Sequence, residues 1–226
     1  MTSRTRALVA AAAIGGCALV ALSSPRLIRR APFFRLQHVE VVGTRFLDPN
    51  DVVRRLGLAQ DASIIDPLDA VRAAALAVPG VVSATVARRL PGTLRVTVRE
   101  AVPVALAVQP DRLVFLDHKA TVLPFDPARH AVSLPIADRS RAATTLLARI
   151  MLTDPDWYDT IDTATDEAGD VVLATAGQRV RMRPSAGDDA LRAVRLVRDY
   201  LVQRGVAWRE LDARFAGRVF VRRVAT

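Results

Sequence analysis

The sequence predicts a mixed α+β fold, in which an N-terminal transmembrane helix precedes a small β-α-α-β-β domain and a mixed C-terminal β domain with two helices. An uncharged apolar stretch at residues 7–24 predicts the transmembrane helix. Short alternating apolar runs bounded by Gly and Pro predict strands from residue 36 onwards, and Asp-Pro pairs between them predict helix starts. The 226 residues are enough for two small domains.

The N-terminal apolar stretch is the candidate membrane anchor. Residues 7–24 are rich in Ala, Val and Leu, and they lie near the lower limit of about 17 residues for a bilayer span. Residues 1–6 would form a short cytoplasmic tail, and residues 25–35 a juxtamembrane linker. We expect a single-pass protein with a cytoplasmic N-terminus, because the tail is short and basic like the start of a secretory signal.

Two alternatives for this segment stay open. A cleaved signal peptide would end near Ser24, although no clean small-x-small site follows the apolar run. A lipidation box would end at Cys17, but the apolar run continues past it to Leu22. The expected topology also opposes the positive-inside rule, since more arginines closely follow the segment than precede it.

The first domain, residues 36–103, opens with a strand and a helix. Apolar alternation around Val39 predicts a strand that ends at Gly43. Asp48 before Pro49 predicts an N-cap and a first helical turn, and Gly57 ends the helix.

A second helix and a hairpin complete this domain. Asp66 and Pro67 repeat the start signal, and the second helix stops before Pro79. Residues 81–90 and 93–100 then alternate apolar and polar side chains around a Pro-Gly turn, which predicts a hairpin with one buried face. Two helices would cover one face of a three-stranded sheet.

Three strings in this domain resemble a known family. They are VEVVG at residues 39–43, VPGVVSATV at 78–86, and RRLPGTLRVTVREAVP at 88–103. Together they resemble the POTRA domain of the FtsQ/DivIB bacterial cell-division family.

The second domain, residues 104–226, follows without a linker. Its FLDHKATV string at residues 115–122 is similar to a family string, with Ala120 in place of Gly, and ELDARFAGRVFVR at 210–222 is similar to the family's closing segment. Apolar alternation and turn signals predict strands at 104–108, 113–116, 121–123, 171–174 and 178–183, and helices at about 141–152 and 188–203.

Catalytic and metal-binding patterns find little support in the sequence. The histidines His38, His118 and His130 have no ligand spacing, and no nucleotide-binding or serine-hydrolase motif occurs. Acidic residues between Asp154 and Asp170 lack the calcium-loop pattern and predict a solvated loop. The net charge of +9 is spread from Arg4 to Arg223, which argues against a nucleic-acid surface. We therefore expect no enzyme activity and no cofactor.

The family resemblance implies a non-enzymatic scaffold of the divisome in the cell inner membrane, at the division septum. It implies that the second domain binds FtsB, which is paired with FtsL, and that the POTRA-like domain contributes to recruitment. The alternative is a secreted or membrane-anchored POTRA-type adaptor in protein transport or outer-membrane assembly.

The resemblance also places the partner site at the C-terminal sheet edge. We expect residues 217–222 to supply the edge strand, with Val219 and Val221 on one face and Phe220 on the other. Arg214 would meet an acidic side chain of the partner, and Phe215 would be an apolar anchor. In the alternative interpretation, these apolar side chains are core residues and Arg214 belongs to a structural ion pair. The candidate site comprises Arg214, Phe215, Gly217, Val219, Phe220, Val221 and Arg222.

Overall fold

The computed structural model describes residues 32–130 and 132–224, and the chain divides between Glu100 and Ala101 into two compact units. The predicted membrane segment at residues 7–24 and Cys17 lie outside the described residues. Within the described ranges, no helix is both long enough and apolar enough to cross a membrane.

The first unit is a three-stranded sheet with two helices. Strand β1 (His38–Val42) runs parallel to the central strand β3 (Thr93–Glu100), which pairs antiparallel with β2 (Val81–Arg89). Helices α1 (Pro49–Arg55) and α2 (Asp69–Leu76) lie between β1 and β2 in the chain. The predicted order of strand, helix, helix, strand, strand is confirmed.

The helices cover one face of this sheet. Leu56, which follows α1, and Ala75 of α2 form one buried cluster with Ala84, Val96 and Val98 of the sheet. The sheet residues in the cluster alternate along their strands, as a sheet with one buried face requires.

One predicted helix start is confirmed and the other is wrong. The Asp48 carboxylate caps α1 by accepting the Asn50 N–H at 2.8 Å. The second helix starts at Asp69, whereas the Asp66 carboxylate accepts the Ser63 N–H at 3.0 Å. Asp66 closes a turn with Ser63 because its own N–H also donates to the Ser63 carbonyl at 3.0 Å.

The second unit is built on one eight-stranded sheet. Its strands are β4 (Ala105–Val108), β5 (Leu113–Leu116), β6 (Ile136–Ala137), β7 (Thr163–Glu167), β8 (Asp170–Thr175), β9 (Gln178–Met182), β10 (Trp208–Phe215) and β11 (Arg218–Arg223). They lie in the order β11-β10-β9-β8-β7-β6-β4-β5 across the sheet. Three α-helices are described in this unit: α3 (Arg141–Thr153), α4 (Pro155–Tyr158) and α5 (Asp188–Gln203).

The helices pack on one face of this sheet. Leu147 of α3 and Leu191 of α5 lie in the same buried cluster as Leu173, Val180 and Leu211 of the sheet. Alternate residues of the same strands therefore form an opposite face, which we call the open face.

Two predictions for this unit are wrong. Residues 121–123 form no named strand, and Val122 makes a single bridge to Leu116. The acidic stretch is not a loop, because it contains α4 and β7. Asp154 caps α4 by accepting the Trp157 N–H at 3.2 Å, and Trp157 and Tyr158 are buried. The apolar residues between the carboxylates thus determine the local structure.

Candidate partner-binding edge

Strand β11 lies at one edge of the eight-stranded sheet. It pairs antiparallel with β10 only, so that within the described residues its outer side faces no other strand. An edge strand presents unpaired backbone N–H and C=O groups to which another extended segment can pair.

The two faces of β11 differ in character. Val221 lies opposite Leu211, which is fully buried, and Val219 packs partly against the core. Phe220 lies opposite Asp212, and Arg222 opposite Glu210. The strand therefore has one face on which Val219 and the 37% exposed Val221 lie towards the core, and an open face that mixes an aromatic ring with charge.

Two phenylalanines form an exposed pair beside the turn between β10 and β11. The rings of Phe215 and Phe220 meet edge to face with centroids 5.3 Å apart, and the residues are 47% and 54% exposed. Gly217 permits the tight turn between their strands through its positive φ of 69°. Exposed aromatic residues close to an open edge are the kind of anchor that dominates protein interfaces.

Arg214 is held by carboxylates of its own chain. Its Nε and Nη2 donate to the two Asp212 carboxylate oxygens at 2.9 and 2.6 Å, and its Nη1 donates to Asp170 Oδ2 at 2.8 Å. The pKa of Arg214 is raised, mainly by its hydrogen bonds to Asp212 and, to a smaller extent, by its bond to Asp170. The same hydrogen bonds from Arg214 lower the pKa of Asp212. Arg214 is therefore part of an ion pair within its own chain, which is the role that the alternative interpretation gives it.

The open face carries a wider set of ion pairs that the sequence analysis did not predict. Glu167 of β7 accepts from Arg179 at 2.9 Å and from Arg181 at 2.8 Å, and Arg181 lies 4.0 Å from Asp170. Val172 on the same face is only 2% exposed. The sequence shows that arginines alternate along β9. Their carboxylate partners lie on β7 and β8, however, and the sequence alone does not predict how these strands are aligned with β9.

The edge strand itself is strongly basic. Arg218, Arg222 and Arg223 are all exposed. Arg222 lies 3.9 Å from Glu210, and its side chain is 73% exposed. Positive charge therefore flanks the aromatic pair on the outer side of the sheet.

The opposite edge of the sheet is partly covered. Beyond β5, the Leu123 N–H donates to the Phe115 carbonyl at 2.8 Å, and Val122 bridges to Leu116. This segment occupies the backbone groups that an added strand would need, so β11 is the more open of the two edges.

Residues 34–101 match a family model described as the POTRA domain, FtsQ-type. The first unit is therefore a POTRA domain of the FtsQ type. This match confirms the resemblance to the FtsQ/DivIB family. No curated protein matches the chain. POTRA domains are typically non-catalytic protein-interaction domains, and one of the FtsQ type indicates a scaffold related to cell division.

The POTRA domain has its own open sheet face. Glu40 of β1 lies directly opposite Arg95 of β3, and Arg95 donates to both carboxylate oxygens at 2.8 and 2.7 Å. This pair lowers the pKa of Glu40 through the hydrogen bond from Arg95.

In the described parts of the chain, no three His, Cys, Asp or Glu side chains are grouped so as to hold a metal ion.

Proposed function

We propose that the chain is a non-enzymatic, single-pass scaffold of the bacterial divisome, which binds the FtsB/FtsL complex through β11. The observation that carries this proposal is the open edge of β11 beside the exposed Phe215–Phe220 pair. The FtsQ-type POTRA domain supports the cell-division setting. The scaffold would sit in the inner membrane at the septum, anchored by residues 7–24, and link early to late division proteins.

The proposed mechanism is β-augmentation. An extended segment of FtsB adds to β11, and backbone hydrogen bonds along the strand supply affinity without regard to sequence. Side chains then supply specificity, since alternate residues of the added strand face either Phe220 or the valines of the core face. Phe215 and Phe220 would bury their exposed ring surface against an apolar side chain of the partner.

Charged contacts with the partner are assigned to Arg218 and Arg222. Arg214 has its hydrogen-bond donors directed at Asp212 and Asp170, so a partner carboxylate would have to compete with two near neighbours. Arg218 and Arg222 are exposed on the edge strand itself. An acidic partner segment would meet them without breaking existing short ion pairs.

The experiment measures binding of the full-length chain, in detergent micelles, to the extracytoplasmic segment of FtsB together with FtsL. Phe220→Ala should weaken binding at least tenfold, because it removes an exposed ring at the centre of the proposed interface. Leu196→Ala is the matched control, since Leu196 is 70% exposed but lies on α5 rather than on the edge strand.

Hydrogen exchange locates the contact. Binding by β-augmentation should slow exchange of those backbone amides of residues 218–223 that point away from β10, because they gain hydrogen bonds. Binding that leaves these amides unprotected, or that Phe220→Ala and Leu196→Ala weaken equally, would reject the edge as the site. Absence of binding by the folded chain would favour the transport-adaptor alternative.

A further inference from the structure

The open edge of β11 could allow two copies of this chain to associate through the same strand. An open edge strand can pair with the same strand of a second copy, because both present unpaired backbone groups. Apolar and aromatic side chains on Phe220, Val219 and Val221 would favour such pairing. Something in the strand must therefore keep copies apart if the edge is to stay open.

The geometry of self-pairing can be worked out from the sequence of β11. Two copies continue one sheet when they pair antiparallel about a two-fold axis perpendicular to it, and opposite residues then lie on the same face. Centred on Phe220, the pairing sets Phe220 against itself and Val219 against Val221 of the second copy. This is the best apolar register, but it also sets Arg218 against Arg222 twice.

The neighbouring registers either lose apolar matches or set arginine against arginine. Centred on Val221, the pairing keeps a single match of Val221 with itself, but it sets Arg222 against Phe220 twice and Val219 against Arg223 twice, so the aromatic match and both Val219–Val221 matches are lost. Centred on Arg222, it sets that arginine against its own copy. Like charges directly opposite on neighbouring strands destabilise a sheet, because their Cβ atoms are only about 5 Å apart.

We propose that Arg218 and Arg222 prevent β11 from pairing with a second copy of this chain. Both side chains are exposed. The Arg222 side chain is 73% exposed and lies 3.9 Å from the Glu210 carboxylate, so no short contact neutralises its charge. A partner strand with neutral or acidic residues at these positions is accepted, whereas the identical strand is rejected. This selection does not depend on the identity of the partner.

The test measures self-association of the full-length chain in detergent by sedimentation velocity, with no partner present. Arg218→Thr combined with Arg222→Thr should dimerise at a concentration at least tenfold lower than the wild type. Thr is a strong strand former, so the change preserves β11. The matched control is Arg192→Thr with Arg195→Thr on α5, which removes the same charge from exposed positions and should behave like the wild type.

Two further readouts identify the contact. Raising NaCl from about 0.05 to about 0.5 M should promote wild-type dimers by screening the arginines, and should have little effect on the double variant. In the dimer, the amides of residues 218–223 that point away from β10 should exchange more slowly. A double variant that stays monomeric like its control, or that dimerises without protection of these amides, would overturn the proposal.

Discussion

Glu100 holds the backbone of Phe46: its Oε2 accepts the Phe46 N–H at 2.9 Å. Its Oε1 accepts the N–H groups of Arg45 and Leu47 at 3.1 and 2.9 Å. Glu100 is the last residue of β3 and is only 9% exposed. One carboxylate therefore satisfies three consecutive amides of the loop between β1 and α1 in the POTRA domain.

Replacing Glu100 should destabilise this domain strongly. Glu100→Ala leaves three backbone N–H groups without their charged acceptor, which should cost about 2–4 kcal/mol of unfolding free energy. Hydrogen exchange at residues 45–47 should accelerate with it. Glu40→Ala is the control, because that carboxylate pairs with Arg95 on the open face. Equal effects of the two substitutions would contradict the role of Glu100.

Two glycines of the POTRA domain should respond differently to the same change. Gly43 has φ of 92°, and a Cβ there would lie 2.2 Å from the Val98 carbonyl oxygen. Gly57 has φ of 60°, and a Cβ there would meet nothing within 4 Å. Gly57→Ala should therefore cost only about 1 kcal/mol for its backbone conformation, whereas Gly43→Ala must also displace a strand.

Chemical denaturation followed by circular dichroism checks this pair. The unfolding midpoint should fall clearly further for Gly43→Ala than for Gly57→Ala. Similar midpoints would show that the backbone at Val98 can move to accommodate the Cβ at position 43 with little loss of stability, although Val98 lies in the central strand.

The POTRA domain was largely predictable because its signals are local. Asp48 and Pro49 start α1, and the alternation of residues 93–100 around a Pro-Gly turn defines β3. The start of α2 was mispredicted at Asp66, since a carboxylate can cap a helix or close a turn and the sequence motif is similar in both cases.

The second unit was less predictable because its site depends on contacts between distant residues. The sequence leaves open whether Arg214 contacts a partner or belongs to a structural ion pair, because one of its two carboxylates, Asp170, lies 44 positions earlier in the sequence. The parallel pairing of β10 with β9 also follows a long crossover through α5. No local pattern encodes such a register.

The buried hydroxyl of Tyr158 should make stability depend on alkaline pH. It donates to the Val104 carbonyl at 2.8 Å, and burial raises the pKa of Tyr158. A raised folded-state pKa gives a contribution that is complete below the unfolded pKa of about 10 and is lost as pH rises above it.

Tyr158→Phe isolates this contribution. At pH 8 the variant should be less stable by about 1–2 kcal/mol, because the Val104 carbonyl loses its donor. Above about pH 10 the difference in unfolding midpoint should shrink, since only the wild type must keep its phenol protonated. A difference that stays constant to pH 11 would contradict the linkage.

The Arg214–Asp212 pair should act at the opposite end of the pH scale. Arg214 lowers the pKa of Asp212, so the pair stabilises the fold above the ordinary carboxyl pKa of about 4 and loses this effect as pH falls further. Arg214→Met should lower the unfolding midpoint at pH 7, and the difference from wild type should narrow below about pH 4. Parallel midpoints across that range would assign the loss to packing instead.

Charge reversal at Arg222 tests whether the edge strand binds acidic residues of its partner. Arg222 is 73% exposed and lies opposite Glu210, so Arg222→Glu adds a repulsion to Glu210 as well as to any partner carboxylate. Binding of the FtsB/FtsL segments should weaken at least tenfold, while Arg195→Glu on α5 serves as the exposed control.

Compensation separates the two repulsions. Acidic residues of the FtsB segment are changed one at a time to Arg, and binding to Arg222→Glu is remeasured at about 0.05 M NaCl, where exposed charges are least screened. Recovery with one such change would identify the contact of Arg222, because the repulsion from Glu210 is the same in every combination. Recovery with none, or equal recovery with all, would place the charged contact elsewhere on the partner-binding edge.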